Sequence, residues 1–450
     1  MQNQEYSVGL DIGTTKIVAI VGRRNQHGKI EVMGAGKAKS LGVHKGIVNN
    51  IAQTIESIKT AVKEAQNSAG VPITKVTVGI AGKHIRSLQH SDYIMRENPE
   101  AYITEEDIEI LKDQVKKLVM LPGEEIIHVL PQEYKVDSEG EIQEPIGMHG
   151  KRLEANFHVV VGQMSSIRNI VRCVREAGLE MEALTLEPLA SSEAVLTKEE
   201  KEAGVAIVDI GGGTTDIAIF KDNIIRHTCV IPFGGGIITD DIKEGCSIIE
   251  KYAEQLKIKF GSAVPEMEKD STFVTIPGLH GRQDREIALK TLAQIINARI
   301  EEILDMVNNE LKAYGAFEQK KKLIAGIVLT GGGSNLKHIR QLANFTIGFD
   351  SRLGYANEYV ANDKNQILKG PEYATSIGLL MESLKIRDKK QPEEEIEVVE
   401  TPISEISQEI EETQDLQTPA ERVKKEPKSK ETIGERIMKR VREFFDTVEE

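Results

Sequence analysis

The sequence predicts an α/β protein made of two related lobes, and an internal repeat is the main reason. Residues 5–38 read as strand, turn, strand, turn, strand, and residues 204–231 repeat this plan. The motif Asp11-Ile12-Gly13-Thr14-Thr15 returns as Asp209-Ile210-Gly211-Gly212-Gly213-Thr214-Thr215, which aligns as the first copy with two extra glycines. Such a repeat indicates an internal duplication, so we expect two lobes that face each other across a cleft.

The strands of the two copies follow the same order along the chain. In the first copy they are YSVGLDI, KIVAIVG and KIEVMGAG, and in the second they are GVAIVDI, DIAIF and IIRHTCVI. A polar turn from Asn25 to Gly28 closes the second hairpin of the first copy, and Lys221 to Asn223 does so in the other. Each copy therefore predicts a three-stranded antiparallel unit.

Residues 84–162 lie between the copies and have a different pattern. The strand IRSLQHSDYIM precedes a helix that Thr104 and Asp107 open as a capping box, and the strands EIIHVLPQEYKV and RLEANFHVVVG follow. This order predicts an inserted α+β unit. Elsewhere the apolar spacing predicts helices at 165–177, 247–258 and 285–313. A buried strand at 325–330 leads into a glycine turn and a helix from Asn335, and the folded body is predicted to end near Leu384.

The last part of the chain changes in composition. Residues 386–431 are rich in Glu and Lys, include four prolines and have no aromatic residue, which is typical of a disordered linker. Thr432 and Glu435 then form a capping-box signature that opens a helix at about 433–446. One face of this helix is apolar, through Ile433, Ile437, Met438, Val441, Phe444 and Phe445. The remaining surface is basic, through Arg436, Lys439, Arg440 and Arg442.

This profile predicts a helix that lies in a membrane interface, because apolar side chains enter the acyl boundary while basic ones meet anionic headgroups. The alternative is docking on the protein's own body or on a partner. A long polar linker disfavours self-docking, and the helix is too short to span a bilayer.

Charge and cysteine content exclude several classes of protein. The chain has 71 acidic and 57 basic residues and a formal net charge of −14, which argues against binding nucleic acid. The three cysteines, Cys173, Cys229 and Cys246, have no C-x-x-C spacing, so neither a zinc site nor a disulfide framework is indicated. With no signal-like start and no long apolar run, the chain is predicted to be neither exported nor membrane-spanning.

The two D-I-G turns predict an anion site with a nearby cation. Small residues let backbone N–H groups approach a phosphate, and Thr14, Thr15, Thr214 and Thr215 add hydroxyl donors. Asp11 and Asp209 are expected to face each other and to hold magnesium through its waters. A third turn, Gly331 to Ser334, is expected to open a helix with a positive N-terminus. A single glycine turn is more often only a tight connection, but three that directly follow apolar strands favour phosphate binding.

These segments resemble a known superfamily. LDIGTTK (10–16) and VDIGGGTTD (208–216) are similar to the two phosphate motifs of the actin, Hsp70 and sugar-kinase superfamily, and GIVLTGGGSNL (326–336) resembles its adenosine motif. EPLASSEAVL (187–196) and PEYATSIGLL (371–380) resemble its two connecting helices. The resemblance implies duplicated ribonuclease-H-like lobes with ATP and magnesium bound between them.

Two further segments, FGGGIITDDI (233–242) and AEQLKIKFG (253–261), together with the position of the insert, resemble the FtsA family. That resemblance implies an SHS2-type insert, ribose contacts from Glu254 and Lys257, and Glu187 as the acid that orients an attacking water, with weak or no ATPase activity. An ordinary surface ion pair is the alternative for Glu254 and Lys257. The implied nucleotide-binding residues are Asp11, Gly13, Thr14, Thr15, Lys16, Asp209, Gly211, Gly212, Gly213, Thr214, Thr215, Glu254, Lys257, Gly331, Gly332, Gly333 and Ser334.

The family resemblance also implies a division of the chain and a set of partners. The expected parts are the first-lobe core (1–83), the insert (84–162), the completion of that lobe (163–202), the second-lobe core (203–246 and 321–385), its small subdomain (247–320), the linker (386–431) and the membrane helix (432–450). The expected partners are the FtsZ tail, further copies of the chain in filaments, an anionic membrane surface and other division proteins that contact the insert. The expected location is the cytoplasmic face of the cell membrane at the division septum.

Arg299, within the amphipathic stretch 288–311, is a candidate FtsZ contact, although a solvated charge on a helix is the more common explanation. Three alternatives remain. A sugar kinase would leave the tail unexplained, an Hsp70-like chaperone would need a further domain after Leu384, and a pilus-assembly actin relative would not be expected to end in this helix.

Overall fold

A computed structural model describes residues 6–278, 283–356, 360–361 and 368–390 of the chain. The first lobe begins with three antiparallel strands, a small two-stranded hairpin, a long helix and a parallel strand. Its elements are β1 (Ser7–Ile12), β2 (Lys16–Arg24), β3 (Ile30–Lys39), β4 (Val43–His44), β5 (Ile47–Val48), α1 (Ile51–Ala69) and β6 (Lys75–Ile80). The Asn50 side chain caps α1 by accepting from the Gln53 amide, and left-handed Gly70 ends it.

The insert forms its own sheet. Its elements are β7 (Ile85–Met95), α2 (Glu105–Lys116), β8 (Glu124–Val136), β9 (Glu139–Ile142) and β10 (Arg152–Gln163). The sheet order is β7-β10-β8-β9, and α2 covers a core around the fully buried Phe157 and Leu111. The Thr104 amide donates to the Asp107 carboxylate at 3.0 Å, and the capping box predicted from the sequence is present.

The chain then returns to the first lobe. The elements that follow the insert are α3 (Met164–Glu176), β11 (Glu180–Leu186), α4 (Glu187–Val195) and α5 (Lys198–Ala203). Strand β11 pairs parallel to β6, which completes a five-stranded sheet in the order β3-β2-β1-β6-β11.

The second lobe repeats that sheet. Its elements are β12 (Val205–Ile210), β13 (Thr215–Lys221), β14 (Ile224–Ile231), α6 (Gly235–Gly245), α7 (Glu250–Phe260), β15 (Phe273–Ile276), β16 (Arg285–Ala288), α8 (Leu289–Tyr314), β17 (Ile327–Thr330), α9 (Ile339–Ile347), β18 (Ser351–Leu353) and α10 (Ala374–Lys390). The order β14-β13-β12-β17-β18 matches the first sheet strand for strand, with three antiparallel strands followed by two parallel ones. The predicted duplication into two α/β lobes is confirmed.

The strand register corrects the sequence alignment of the two copies. Ile12 lies opposite Ile17 in the first lobe, and Ile210 lies opposite Thr215 in the second. Both turns therefore contain four residues, 13–16 and 211–214, and no glycine is inserted. Thr215 occupies the strand position of Ile17, and Asp216 occupies that of Val18.

Helices α4 and α10 pack across each other between the lobes. Gly378 on α10 lies so close to the Ala190 carbonyl that a Cβ there would overlap it. Glycine is therefore required at this crossing.

The insert also contacts the second lobe, along strand β14. The side chains of Ser87 and Gln89 donate to the carbonyl oxygens of Thr228 and Arg226 at 3.1 and 3.3 Å. Gln132 donates to the Ile225 carbonyl at 2.6 Å. The edge of the second sheet is thus covered by polar side chains from the insert.

Three helix boundaries differ from the predictions. The helix predicted at 247–258 begins at Glu250, and the one predicted at 285–313 begins at Leu289 because Arg285–Ala288 pair with β15 as a strand. The helix predicted from Asn335 begins at Ile339, because left-handed His338 separates it from a 3₁₀ turn at Gly332–Asn335. The last described helix continues past Leu384 to Lys390, where the described residues stop. Residues 391–431 of the predicted linker and the whole of the predicted membrane helix lie outside the described residues.

Candidate functional site

A cavity of about 630 Å³ lies between the two lobes. Ligand pockets in proteins usually have volumes of roughly 300–1,000 Å³, so a nucleotide-sized molecule fits. The ends of β1, β12 and β17 and the turns that follow them form its walls. The sequence-predicted residues that line it are Asp11, Gly13, Thr14, Thr15, Lys16, Glu187, Asp209, Gly211, Gly212, Gly213, Thr214, Glu254, Lys257, Gly331, Gly332 and Gly333.

Two predicted residues do not line the cavity. Thr215 is fully buried and its hydroxyl donates to the Phe233 carbonyl at 2.8 Å, since the residue belongs to a strand and not to the turn. Ser334 is also buried, and its hydroxyl donates to the Thr330 carbonyl at 2.5 Å. Both hydroxyls stabilise the framework of the site.

The second-lobe turn lies against the first lobe. A Cβ on Gly213 would stand 2.9 Å from the Lys45 Cα, which is closer than real Cβ atoms come. The segment after β14 packs on the same turn, since the amides of Gly235 and Gly236 donate to Gly211 and Gly212 at 2.8 and 2.7 Å. The glycines are needed because backbones approach closely from two sides.

Four carboxyl groups surround the inner end of the cavity. Burial raises the pKa of Asp11 and of Asp209. The negative charges of these two aspartates also raise the pKa of other acids in the cluster. Burial, helped by Asp209, raises the pKa of Asp216 to about 7. Burial raises the pKa of Glu187 well above its usual range, and Asp11, Asp216 and Asp209 add to this effect. The inner end therefore favours a cation or retained protons.

Hydroxyl groups from the crossed helices bind two of these carboxyls. Ser191 on α4 donates to Asp209 Oδ2 at 2.8 Å, and Thr375 on α10 donates to the same oxygen at 3.1 Å. Ser376 donates to Asp11 Oδ2 at 2.9 Å. These bonds favour the charged form of each aspartate and partly offset the effect of burial.

Lys16 brings positive charge to the cavity from the first lobe. Its ammonium donates to the Glu372 carbonyl and lies 4.4 Å from the centre of the Tyr373 ring. Burial lowers the pKa of Lys16, while the Asp11 carboxylate acts in the opposite direction.

Glu254 and Lys257 lie on one face of α7, at the opposite wall. The Lys257 ammonium is 2.7 Å from the Glu254 carboxylate and donates to the Gly235 carbonyl at 2.6 Å and to Thr239 Oγ1 at 2.7 Å. The lysine side chain is largely buried, the glutamate side chain is 42% exposed, and both residues line the cavity.

Arg299 lies on α8, as predicted, and its guanidinium is held by two carboxylates. Its Nε and Nη2 atoms contact the two Asp241 oxygens at 2.6 and 2.9 Å, and Nη1 contacts Glu302. The Arg299 side chain is thus ion-paired while remaining 23% exposed to solvent.

Several lining residues were missed by sequence reasoning. Asp216 ends the motif VDIGGGTTD (208–216), and a carboxyl in an otherwise apolar strand is a signal that could identify it. Nothing in the sequence pattern marks Lys37. Asn335, Glu372 and Thr375 lie within segments that resemble the superfamily, but the sequence does not show that their side chains reach the cavity. The missed residues that line the cavity are Ile12, Lys37, Gly46, Ala81, Asp216, Gly235, Ile238, Ile258, Asn335, Leu336, Gly370, Glu372 and Thr375.

Two kinds of feature are absent from the part of the chain that the structure describes. Within the described part of the chain, no group of three His, Cys, Asp or Glu side chains is arranged to hold a metal ion directly. Over the same residues, no helix is both long and apolar enough to cross a membrane.

Known proteins resemble this chain in sequence and fold. The family model described as cell division protein FtsA matches residues 206–378, and the model of the SHS2 domain inserted in FtsA matches residues 82–161. Cell division protein FtsA of Pseudomonas aeruginosa is 40% identical over 385 residues, which cover 86% of this chain and 91% of the relative. FtsA of Escherichia coli K12 is 34% identical, with 84% and 90% covered. A chain of the PilM–PilN type IV pilus biogenesis complex has a TM-score of 0.62 at 16% identity, with 84% and 98% covered.

Proposed function

This chain belongs to the FtsA family of cell division proteins, and from that premise we propose that it binds ATP between its lobes and anchors FtsZ to the cytoplasmic membrane. The main support for nucleotide binding is that three glycine turns and four carboxyl groups converge on one cavity. No single motif would be sufficient, since each turn alone also fits a tight connection.

The turns 13–16 and 211–214 suit the phosphates. Backbone N–H groups of small residues, the hydroxyls of Thr14 and Thr15 and the Lys16 ammonium together supply donors and positive charge to an anion. The turn at Gly331 and the pair Glu254–Lys257 lie along the other wall, where the adenosine part would bind, with Glu254 and Lys257 near the ribose.

The donor set of the cleft also suits magnesium. Asp216 Oδ1 is buried and has no hydrogen-bond partner among the described residues, as expected of an oxygen that serves a cation or its water. Asp11 and Asp209 would hold the ion through its waters. When bound, magnesium offsets the charge of the phosphates and of the carboxyl cluster.

Glu187 lies where it could orient a water, but its raised pKa favours the protonated form. A protonated carboxyl does not accept a proton, so we propose weak ATP hydrolysis or none. Release of phosphate under saturating ATP and magnesium at a rate typical of kinases, roughly 1–100 per second, would contradict this assignment.

The membrane half of the proposal comes from the sequence of residues 432–450. The apolar and basic faces of the predicted helix suit an anionic surface, where each basic residue adds roughly 1 kcal/mol. One such helix binds modestly, so we propose that filament assembly holds many helices together and raises their effective concentration.

The small subdomain of the second lobe is the proposed site for the FtsZ tail, with α8 as the docking helix. Arg299 is a candidate contact, and its pairing with Asp241 and Glu302 means that a peptide carboxylate would have to displace one of these partners.

Two experiments test nucleotide binding and membrane tethering separately. For the nucleotide, Asp209→Ala should weaken ATP binding in calorimetry by at least about tenfold, because a buried charge at the cation site is lost. Asp240→Ala, which removes an exposed carboxyl on α6, is the control. If the Asp209 variant bound ATP as tightly as the wild type, the cavity between the lobes would not be the ATP site.

For the membrane, the full chain and a version that ends at Glu431 should be pelleted with anionic liposomes and an FtsZ tail peptide. We expect only the full chain to carry the peptide down. Arg299→Ala tests the contact, with Arg172→Ala on α3 as a matched ion-paired control. Equal liposome binding by the truncated chain would contradict the tether.

A further inference from the structure

Two adjacent residues in the first turn of α10 bind carboxylates that belong to different lobes. Thr375 donates to Asp209 on β12 of the second lobe, and Ser376 donates to Asp11 on β1 of the first lobe. All four side chains are at least nine-tenths buried, so water does not compete for these bonds.

The hydrogen bonds orient the two carboxylates in the same way relative to α10 and the cavity. In each aspartate the Oδ2 atom accepts from α10, at 3.1 Å for Asp209 and 2.9 Å for Asp11. The Oδ1 atom of Asp209 lies beside Gly331, and that of Asp11 lies beside Gly13. Each aspartate thus presents one oxygen to the helix and the other to a glycine turn of the cavity.

Helix α10 is firmly held just beyond this point. Gly378 contacts the Ala190 backbone where α10 crosses α4, and Ser191 on α4 donates to the same Asp209 oxygen as Thr375. Ser191 and Thr375 are also 2.9 Å apart. A rotation of one lobe against the other therefore cannot leave both aspartate bonds unchanged.

We propose that Thr375 and Ser376 are positioning residues for the two cleft carboxylates, and that this adjacent pair links binding of a magnesium nucleotide to the relative rotation of the lobes. The inference depends on the proposed ATP and magnesium site. It adds that the helix between the lobes, and not only the glycine turns, determines where the carboxylates point. Neither residue needs to touch the nucleotide phosphates.

The first test compares nucleotide affinity with and without magnesium. In Thr375→Val and Ser376→Ala we expect ATP affinity in magnesium to fall about tenfold, as for residues that orient metal ligands. Affinity in EDTA should change less than about twofold, because the phosphate donors are untouched. A general loss of structure would lower both affinities equally.

Two sets of variants control this result. Thr375→Ser and Ser376→Thr keep a hydroxyl and should restore wild-type affinity in magnesium. Ser192→Ala and Ser383→Ala remove buried hydroxyls from α4 and α10 that do not bind the aspartates, and they should leave both affinities unchanged. If Thr375→Val does not fold, Ser191→Ala tests the same Asp209 oxygen.

The link between the lobes is tested by combining the two variants. If both hydrogen bonds depend on the same rotation of the lobes, the fold-changes in ATP affinity caused by Thr375→Val and Ser376→Ala should not multiply in the double variant. The double variant should bind magnesium ATP only about tenfold more weakly than wild type, whereas independent effects would give about a hundredfold.

The outcomes separate the two claims. A wild-type chain that fails to bind magnesium ATP removes both the proposed function and this inference. Wild-type binding with unaltered magnesium dependence in both variants overturns the positioning role alone. Multiplicative fold-changes overturn the link between the lobes.

Discussion

The turns 13–16 and 211–214 occupy the same position in two lobes of the same topology, yet they present different chemistry to the cavity. The first turn is Gly-Thr-Thr-Lys and offers hydroxyl groups and an ammonium, whereas the second is Gly-Gly-Gly-Thr and offers mainly backbone. The strands after the turns differ as well, since buried Val18 in the first lobe corresponds to buried Asp216 in the second. A duplicated scaffold thus places side-chain donors on one side of a ligand and backbone with a carboxyl on the other.

This difference indicates which positions serve the fold and which serve the site. Where both lobes keep an apolar strand residue, the residue packs in a core. At the equivalent positions 18 and 216, Val18 of the first lobe packs in a core, whereas Asp216 of the second lobe lines the cavity. Exchanging residues between equivalent positions should therefore separate stability from ligand binding.

The largest effect is expected for Asp216→Val, which gives the second lobe the residue of the first. The folded protein holds a proton on Asp216 up to about pH 7, while the unfolded chain releases it near its ordinary value of 3.8. Stability of the ligand-free wild type should therefore fall as pH rises through this window, by on the order of 4 kcal/mol from this group. The variant should lose that part of the slope.

Chemical denaturation at several pH values between 4 and 8 measures this slope. Asp240→Val, which removes an exposed carboxyl, should keep the wild-type pH dependence. Identical slopes in the wild type and the Asp216 variant would show that Asp216 is not held protonated.

The next effect is expected for Gly213→Val. The added side chain would meet the Lys45 backbone and Thr14, so the second turn must move away from the first lobe. ATP affinity should fall by about a hundredfold, close to 3 kcal/mol, because the phosphate turn is displaced. Isothermal calorimetry measures it, and Gly140→Val, at an open position in the insert, is the control. Unchanged affinity would mean that this turn does not contact the ligand.

A smaller effect is expected for Lys16→Met, which removes the only side-chain charge of the first turn. Loss of one charge-assisted contact should weaken ATP binding by about tenfold, since hydrogen bonds to charged groups contribute roughly 1.5–3 kcal/mol. Lys39→Met, at an exposed position on the same strand hairpin, provides a comparison in the same assay. If the two variants bind equally well, Lys16 is not a phosphate contact.

The smallest effect is expected for Thr215→Val, at the strand position of Ile17. The Phe233 carbonyl loses its donor, so the free energy of unfolding should fall by about 1 kcal/mol while ATP affinity stays the same. Thr15→Val should instead weaken ATP binding and leave the free energy of unfolding unchanged, because its side chain is exposed in the cavity. Urea denaturation measures the stability of both variants and calorimetry measures their ATP affinity. Weaker ATP binding by Thr215→Val, or lower stability of Thr15→Val, would contradict these roles.

Local sequence signals predicted most of the fold correctly. The strand hairpins and the Thr104 capping box depend on neighbouring residues, and the structure has them where the sequence indicates. Residues 285–288 were assigned to a helix because their apolar spacing continues into α8, but pairing with β15 decides their conformation. The two D-I-G turns were misaligned because their threonines match in sequence, while hydrogen-bond register, which the sequence does not show, pairs Thr215 with Ile210.

The site was predictable only where its residues follow a strand in a recognisable turn. Asp11, Asp209 and the three glycine turns meet this condition. Ser191, Thr375 and Ser376 do not, because an interior serine or threonine on a helix usually bonds to its own backbone. Their role depends on two helices crossing beside both aspartates, which is a property of the tertiary structure.

The contacts between the insert and β14 also limit how copies of the chain can assemble. An uncovered edge strand offers free carbonyl and amide groups to any other strand, and proteins that associate in rows risk indiscriminate pairing there. Ser87, Gln89 and Gln132 already occupy carbonyl groups of this edge. Addition of another strand at β14 would first have to break these hydrogen bonds and detach the insert, so this edge of the second sheet is protected from strand pairing.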